Sequence, residues 1–265
     1  MSDLLNQLRS DLAAEHSALD RVVADLQEHE FSTPTPATGW DIQDQLGHLG
    51  GFDEAGTQAI LDPEAFNATL VRLIETGGDP VADYTALTRS RTGPETLQWW
   101  REARSSFIAA TEGCAPSLRI PWYGPPMGII SHLTARLMET WAHGQDIRDA
   151  LGVEPEVSAR LRHIADLGIR ARPFTYSLHG LPAPVEPIAV ILQAPDGSEW
   201  TWGEPGGVNE VRGTALDFVM LATQRRNLAD CAVTATGAVA EQWCSIIQAF
   251  AGGIGGGRPP LSTKS

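Results

Sequence analysis

The chain has few cysteines, few positive charges and no long apolar run. Three cysteines in 265 residues, Cys114, Cys231 and Cys244, are too few and too scattered for a disulfide framework or a Cys-x-x-Cys metal site. They read as reduced thiols of a cytoplasmic protein. Lys and Arg number 19 against 33 Asp and Glu, a formal charge of −14. That excess argues against nucleic acid or an anionic membrane as partner, but it leaves room for a local basic pocket that takes a small acid. No stretch approaches the roughly 18 apolar residues of a membrane helix. The N-terminal segment is charged throughout and lacks the apolar core of a signal peptide.

What remains is the make-up of an ordinary globular protein, with 42% hydrophobic and 20% charged residues and a length comfortable for two domains. Residues 3–30 contain neither Gly nor Pro and place leucines near helical spacing, which predicts one amphipathic helix. Two prolines and a glycine in 32–39 end it. Asp41 is a good N-cap for a second helix reaching about residue 60. Further helices are expected at 64–76, 80–91 and 94–112. An aromatic, proline-stiffened loop at 119–128 then leads to a long helix over 129–151, stopped by Gly152. After about residue 155 the pattern changes. A helix at 157–172 and a Pro-rich connection from Pro173 to Pro187 precede a hairpin (188–193 and 199–203) turning at Pro195-Asp-Gly197. A strand at 208–212, a helix at 214–223, a strand at 231–236 and a helix at 239–251 complete a small mixed domain. The resulting expectation is an α+β two-domain chain: a helical bundle over 1–155, a connecting helix and linker over 156–186, a small α/β domain over 187–252 and a mobile tail over 253–265.

The chemistry concentrates on the long helix. Glu139 and His143 are four residues apart, just over one turn, so both project from one face and can grip one divalent ion. The same spacing also serves an ordinary surface hydrogen bond. The helix is apolar over Ile129, Ile130, Leu133, Leu137, Met138 and Trp141, and an ionisable pair on a buried helix is costly unless paired or metal-bound. His132 and Arg136 extend the polar stripe. A third donor would come from His48, mid-helix among Gly47, Gly50 and Gly51. These glycines are poor helix formers that let a backbone or a ligand come close. A lone histidine there also fits a hydrogen-bonded core residue. Asp44 and Asp146 lie about one turn from His48 and His143 and could hydrogen-bond a ligand's second ring nitrogen, or serve as a helix cap and a surface group.

Two motifs, Trp40-Asp-Ile-x-Asp-x-x-x-His48-Leu and Arg136-x-x-Glu139-x-Trp-Ala-His143-Gly-x-Asp146-Ile, resemble the N-terminal metal-binding domain of mycothiol-dependent maleylpyruvate isomerase, in the DinB-like four-helix superfamily. The loop Pro121-Trp-Tyr-Gly-Pro-Pro126 resembles that of an actinobacterial branch known only as metal-binding proteins. The resemblance implies a DinB-like four-helix bundle over about residues 5–152, followed by a small sterol-carrier-like α/β domain. It assigns His48, Glu139 and His143 to a zinc ion, for which nickel or iron could substitute. A weaker match, Gly213-x-Ala-x-Asp-Phe-x-x-Leu-x-x-x-Arg225, implies that Arg225 or the adjacent Arg226 binds a substrate carboxylate. A solvated arginine favoured by the helix dipole reads the same way.

Three protein ligands leave open positions on zinc, as catalytic sites do. The resemblance implies mycothiol, a low-molecular-weight thiol, as co-substrate and a small acidic or electrophilic substrate. The reaction would be cis–trans isomerisation of an unsaturated acid, or S-transfer. The same ligands would permit a metal-dependent hydrolase or a non-catalytic metal- or small-ligand-binding protein. Oligomeric state is left open, with a homodimer admitted.

Overall fold

In the computed structural model, which describes residues 2–261, the chain forms two compact units that divide between Glu156 and Val157. Among the described residues no helix is long and apolar enough to cross a membrane.

In the first unit, α1 (Ser2–Val23) buries Leu5, Leu8, Leu12, Leu19 and Val23 along one face. It ends sooner than its lack of Gly and Pro suggests, because the chain restarts as a 3-10 turn over Glu28–Ser32. There the Gln27 amide N–H donates to the Glu30 carboxylate at 2.7 Å. Helix α2 (Ile42–Leu61) opens on a reciprocal cap, with the Asp41 carboxylate accepting from the Asp44 N–H and the Asp44 carboxylate accepting from the Asp41 N–H. Helices α3 (Pro63–Thr76) and α4 (Pro80–Arg89) each begin at an Asp-Pro step, where the aspartate caps and proline fits the first turn. Helix α5 (Gly93–Ala110) is capped by Thr92 with Glu95. The loop expected at 119–128 contains a two-residue antiparallel pair, β1 (Arg119–Ile120) with β2 (Met127–Gly128). Helix α6 (Ile129–Leu151) follows and stops at Gly152, whose φ of +66° is the left-handed C-cap that favours glycine.

The bundle consists of α1, α2, α5 and α6, with α2 running along α5, α1 along α6, and α2 against α6. One core cluster joins Leu19, Val23, Phe31, Ile42, Leu46, Leu49, Leu97, Trp100 and Ile147. Each such fully buried aliphatic or aromatic side chain contributes roughly 1.5–3 kcal/mol. The glycines of α2 serve helix packing. A Cβ on Gly47 would stand 1.8 Å from Thr88 Oγ1, and one on Gly51 2.3 Å from the Tyr84 ring. Their lost helix propensity, about 1 kcal/mol each, is what lets α4 lie flush on α2.

In the second unit, α7 (Leu161–Arg170) and α8 (Arg172–Leu178) precede β3 (Ala189–Gln193), β4 (Glu199–Trp202), β5 (Glu210–Thr214), α9 (Ala215–Ala222), β6 (Val233–Thr236) and α10 (Ala238–Ile246). The sheet order is β4-β3-β5-β6, with β3 and β5 parallel and the outer pairs antiparallel. Helix α8 lies in a stretch that the sequence reads as a connection; Pro173 occupies its first turn, where a missing N–H costs nothing. The tail expected to be mobile over 253–265 lies outside the described residues from 262 onward. Before that, the N–H groups of Gly255 and Leu261 donate to Gln248 and Asp230, and Asn227 donates to the Arg258 carbonyl.

Candidate metal centre

The capped start of α2 sets its phase, and α2 carries His48 to the face that meets α6. Glu139 and His143 come up from α6 one turn apart. Glu139 Oε2 lies 3.0 Å from His143 Nε2 and 3.6 Å from His48 Nε2. One donor atom from each of the three falls within 4.8 Å of the others. A four-coordinate zinc with bonds of about 2.0–2.2 Å holds its donors roughly 3.3–3.5 Å apart, so small side-chain adjustments would seat one. Two imidazole nitrogens and a carboxylate oxygen are also a donor set that suits zinc, and the protein fits the ion its motifs imply. The side chains are 12% (both histidines) and 24% (Glu139) exposed, so the cluster is walled yet reachable.

Protonation favours a cation. Burial lowers the pKa of His48 to about 4, and the neighbouring His143 adds to this, outweighing the carboxylate of Glu139. Burial alone would raise Glu139, but the adjacent His143 and His48 hold it well below the usual carboxylate range. A neutral imidazole and an ionised carboxylate are the forms that ligate metals.

Aromatic rings frame the cluster. Trp40 stacks on His143 at 5.8 Å and tilts against His48 at 5.3 Å, while Phe52, one turn beyond His48, approaches it to 4.7 Å. From Phe52 the wall continues through Tyr84 and Tyr123 at 5.3 and 5.5 Å. Tyr123 also lines a mostly apolar cavity of about 520 Å³ with Leu70, Leu73, Ile74 and Pro80. The loop containing Trp122 and Tyr123 thus supplies part of the wall.

Beneath the cluster, Arg136 donates to Asp53 Oδ1 at 3.0 Å and to the Leu49 carbonyl at 3.1 Å, pinning α6 to α2 one turn away from His48. His16 of α1 stands 3.6 Å from the other Asp53 oxygen. His132 is buried between Phe107 and Trp122, apart from the three donors. Asp44 does not support His48: besides capping α2, its two oxygens accept from Arg89 at 3.0 and 2.7 Å. The second nitrogen of His143 goes instead to Gln45 Oε1, at 2.5 Å. Gln45 was not singled out by sequence, although its signal was there: a polar residue one turn before His48 among Ile42, Leu46 and Leu49. Arg225 and Arg226 belong to the second unit, just past α9. Their guanidiniums donate to the Thr223 and Arg225 carbonyls, and their N–H groups close the helix onto the Met220 carbonyl.

Comparison with known proteins shows the family. The family model described as the mycothiol maleylpyruvate isomerase N-terminal domain matches residues 12–148, more than half of the chain. The chain belongs to that family. Two proteins of Mycobacterium tuberculosis are similar to it over nearly their whole length: Uncharacterized protein MT0041 of strain CDC 1551 / Oshkosh and Uncharacterized protein Rv0036c of strain ATCC 25618 / H37Rv. Each is 40% identical over 249 residues, covering 94% of this chain and 97% of the relative. Crystal structures of the mycothiol-dependent maleylpyruvate isomerase and of a histidine-to-alanine mutant of it share the fold. Both superpose with a TM-score of 0.58 at 16% identity, covering 87% of this chain and 92% of theirs. The N-terminal helical unit followed by an α/β unit is the architecture of this isomerase family.

Proposed function

We propose that this family member is a zinc-dependent enzyme that uses mycothiol, either to isomerise an unsaturated acid from cis to trans or to transfer sulfur to an electrophile. The observation that carries this reading is the solvent-reachable His48–Glu139–His143 cluster in a bundle of the mycothiol maleylpyruvate isomerase type. A divalent ion held there would stabilise the thiolate form of a thiol at neutral pH. His48, Glu139 and His143 would hold the ion, with Trp40 and Phe52 keeping bulk water from two sides. The resemblance assigns the substrate carboxylate to Arg225 or Arg226, and within the first unit the wall from Phe52 to Tyr123 offers an apolar surface beside the cluster.

In isomerisation the thiolate adds to the conjugated double bond, forming a C–S bond and pushing the electron pair onto the carbonyl oxygen. The former double bond rotates, the pair returns and the C–S bond breaks, leaving the thiol unchanged. In S-transfer the C–S bond remains, and a proton reaches carbon or a leaving group departs with the electron pair. The test is to incubate zinc-loaded protein with mycothiol and maleylpyruvate, and separately with a generic electrophile. Turnover that requires both thiol and zinc is expected, with KM raised in Arg225→Ala or Arg226→Ala at unchanged zinc content. The absence of both mycothiol binding and thiol-dependent turnover overturns the proposal.

A further inference from the structure

Helix α2 offers this centre a residue besides His48. We propose that Gln45 is its positioning residue: the side-chain amide keeps a hydrogen on His143 Nδ1, aims Nε2 at the point shared by Glu139 and His48, and does so without adding charge.

The direction of the hydrogen bonds follows from a carbonyl that can only accept. The Thr35 hydroxyl lies 2.9 Å from the Trp40 carbonyl oxygen and therefore donates to it. With its single hydrogen committed, Thr35 Oγ1 can only accept from the Gln45 side chain, also at 2.9 Å, so the amide NH2 faces Thr35. The amide oxygen then faces His143 Nδ1, which must be the donor. Thr35 Oγ1, both polar atoms of the Gln45 amide and His143 Nδ1 each have a partner in that one arrangement. Gln45 is fully buried, so water does not compete for its amide. The loop at Trp40 is thereby linked to His143 twice, through the Gln45 chain and through the stacked indole. With Nδ1 holding its hydrogen, Nε2 is the nitrogen left to ligate, and it is the one beside Glu139.

An amide at this place also sets charge. A carboxylate would orient the ring equally well, as second-sphere carboxylates commonly do, but would bring a negative charge one residue removed from the ion. Two acidic groups of α2 are matched by cations, Asp44 by Arg89 and Asp53 by Arg136, while Glu54 accepts from the Trp99 indole N–H, and the three donors include only one carboxylate. Glu139 is thus the single anion of the cluster, and a divalent ion would retain net positive charge toward an incoming anion such as a thiolate. This second step rests on the thiol chemistry proposed above; the positioning role does not.

Three variants test it: Gln45→Met, Gln45→Leu and Gln45→Glu, each checked for unchanged far-ultraviolet dichroism and thermal unfolding. Long-range proton–nitrogen spectra of the metal-free and zinc-loaded wild type should show His143 with a hydrogen on Nδ1, and zinc on Nε2 when loaded. Chelator competition should show zinc affinity falling about 10–100-fold in the Met and Leu variants, the usual cost of losing such a partner. Gln45→Glu should rescue it. In cobalt-loaded protein, the sulfur-to-metal absorption band on adding mycothiol should need at least about ten times more thiol in Gln45→Glu than in wild type, by the added negative charge. Ligation through Nδ1, or full zinc affinity in folded Gln45→Met, overturns the positioning role. Equal thiol uptake in Gln45→Glu and wild type overturns the charge step. No mycothiol uptake by the wild type counts against the thiol chemistry and leaves the spectroscopic and affinity tests of Gln45 decisive.

Discussion

The two units bury very different interiors. In the bundle, Glu15, His16, Asp44, Asp53, His132, Arg136, Asp146 and Arg148 are all buried. In the second unit the buried polar side chains among the described residues are Thr175, Asn209, Thr223 and Gln248, none of them ionisable. Burying charge is expensive and tolerated mainly where it is paired or used. The bundle therefore carries a cost its neighbour avoids, and part of it, the Asp53–Arg136 pair with His16, lies beneath the three candidate ligands. The sharpest break of this contrast is at the ligands themselves. Zinc-loaded wild type is expected to retain the metal through gel filtration, whereas His48→Ala and Glu139→Gln should lose it while remaining folded. Full zinc retention in both variants would show that the buried polarity serves structure alone.

How far could this be read from sequence? Glu139 and His143 were legible because a helix turns a spacing of four into proximity, and Gly152 marked the helix end. His48 was not fixed by spacing, since nothing local says that α2 faces α6; the motif resemblance supplied it. Gly47 and Gly51 were ambiguous for a related reason: a helical glycine signals close approach without naming what approaches, and here it is Thr88 and Tyr84 of α4. Gln45 was overlooked because its partner lies 98 residues away. Helix α8 was masked by Pro173, which reads as a breaker unless its position in the first turn is known.

The next contrast is energetic. Truncating one member of the Asp53–Arg136 pair should cost about 3–5 kcal/mol, because a buried charge is left without its partner. Asp53→Leu or Arg136→Met would show this in urea unfolding of the bundle, and the double variant should recover most of the loss. A polar-to-apolar change in the other interior, Thr223→Val, removes a hydroxyl bonded to the Val219 carbonyl at 2.8 Å and should cost only about 0.5–1.5 kcal/mol. Equal losses in the two units would erase the distinction.

Acid should weaken the bundle through its histidines. Burial, with Arg104 and Arg136 nearby, lowers His16 well below 6.5, and burial with Arg136 lowers His132 to about 3. Both groups stay neutral in the folded chain, so their full contribution is present above pH 6.5. As pH falls below that, the unfolded chain takes up protons that the folded one refuses. Each histidine then removes up to about 1.4 kcal/mol per pH unit, for His132 down to about pH 3. Asp53 acts oppositely: burial raises it, so lowering the pH through its folded value toward 3.8 returns some stability. Urea midpoints measured at pH 7.5 and 5.5 should separate for wild type and come closer together in His132→Phe; an unchanged gap would exclude His132 as a source.

The smallest effect sharpens the contrast by being the same on both sides. Thr92 caps α5 in the bundle by accepting from the Glu95 N–H at 3.3 Å, and Thr214 caps α9 by accepting from the Asp217 N–H at 3.0 Å. A cap satisfies donors within one turn and owes nothing to the interior behind it. Alanine at either position should therefore cost its own unit about 1 kcal/mol. If Thr92→Ala proved several-fold more damaging than Thr214→Ala, the strain of the bundle's buried charges would reach its helix ends, and the two units would differ in cooperativity as well as in what they bury.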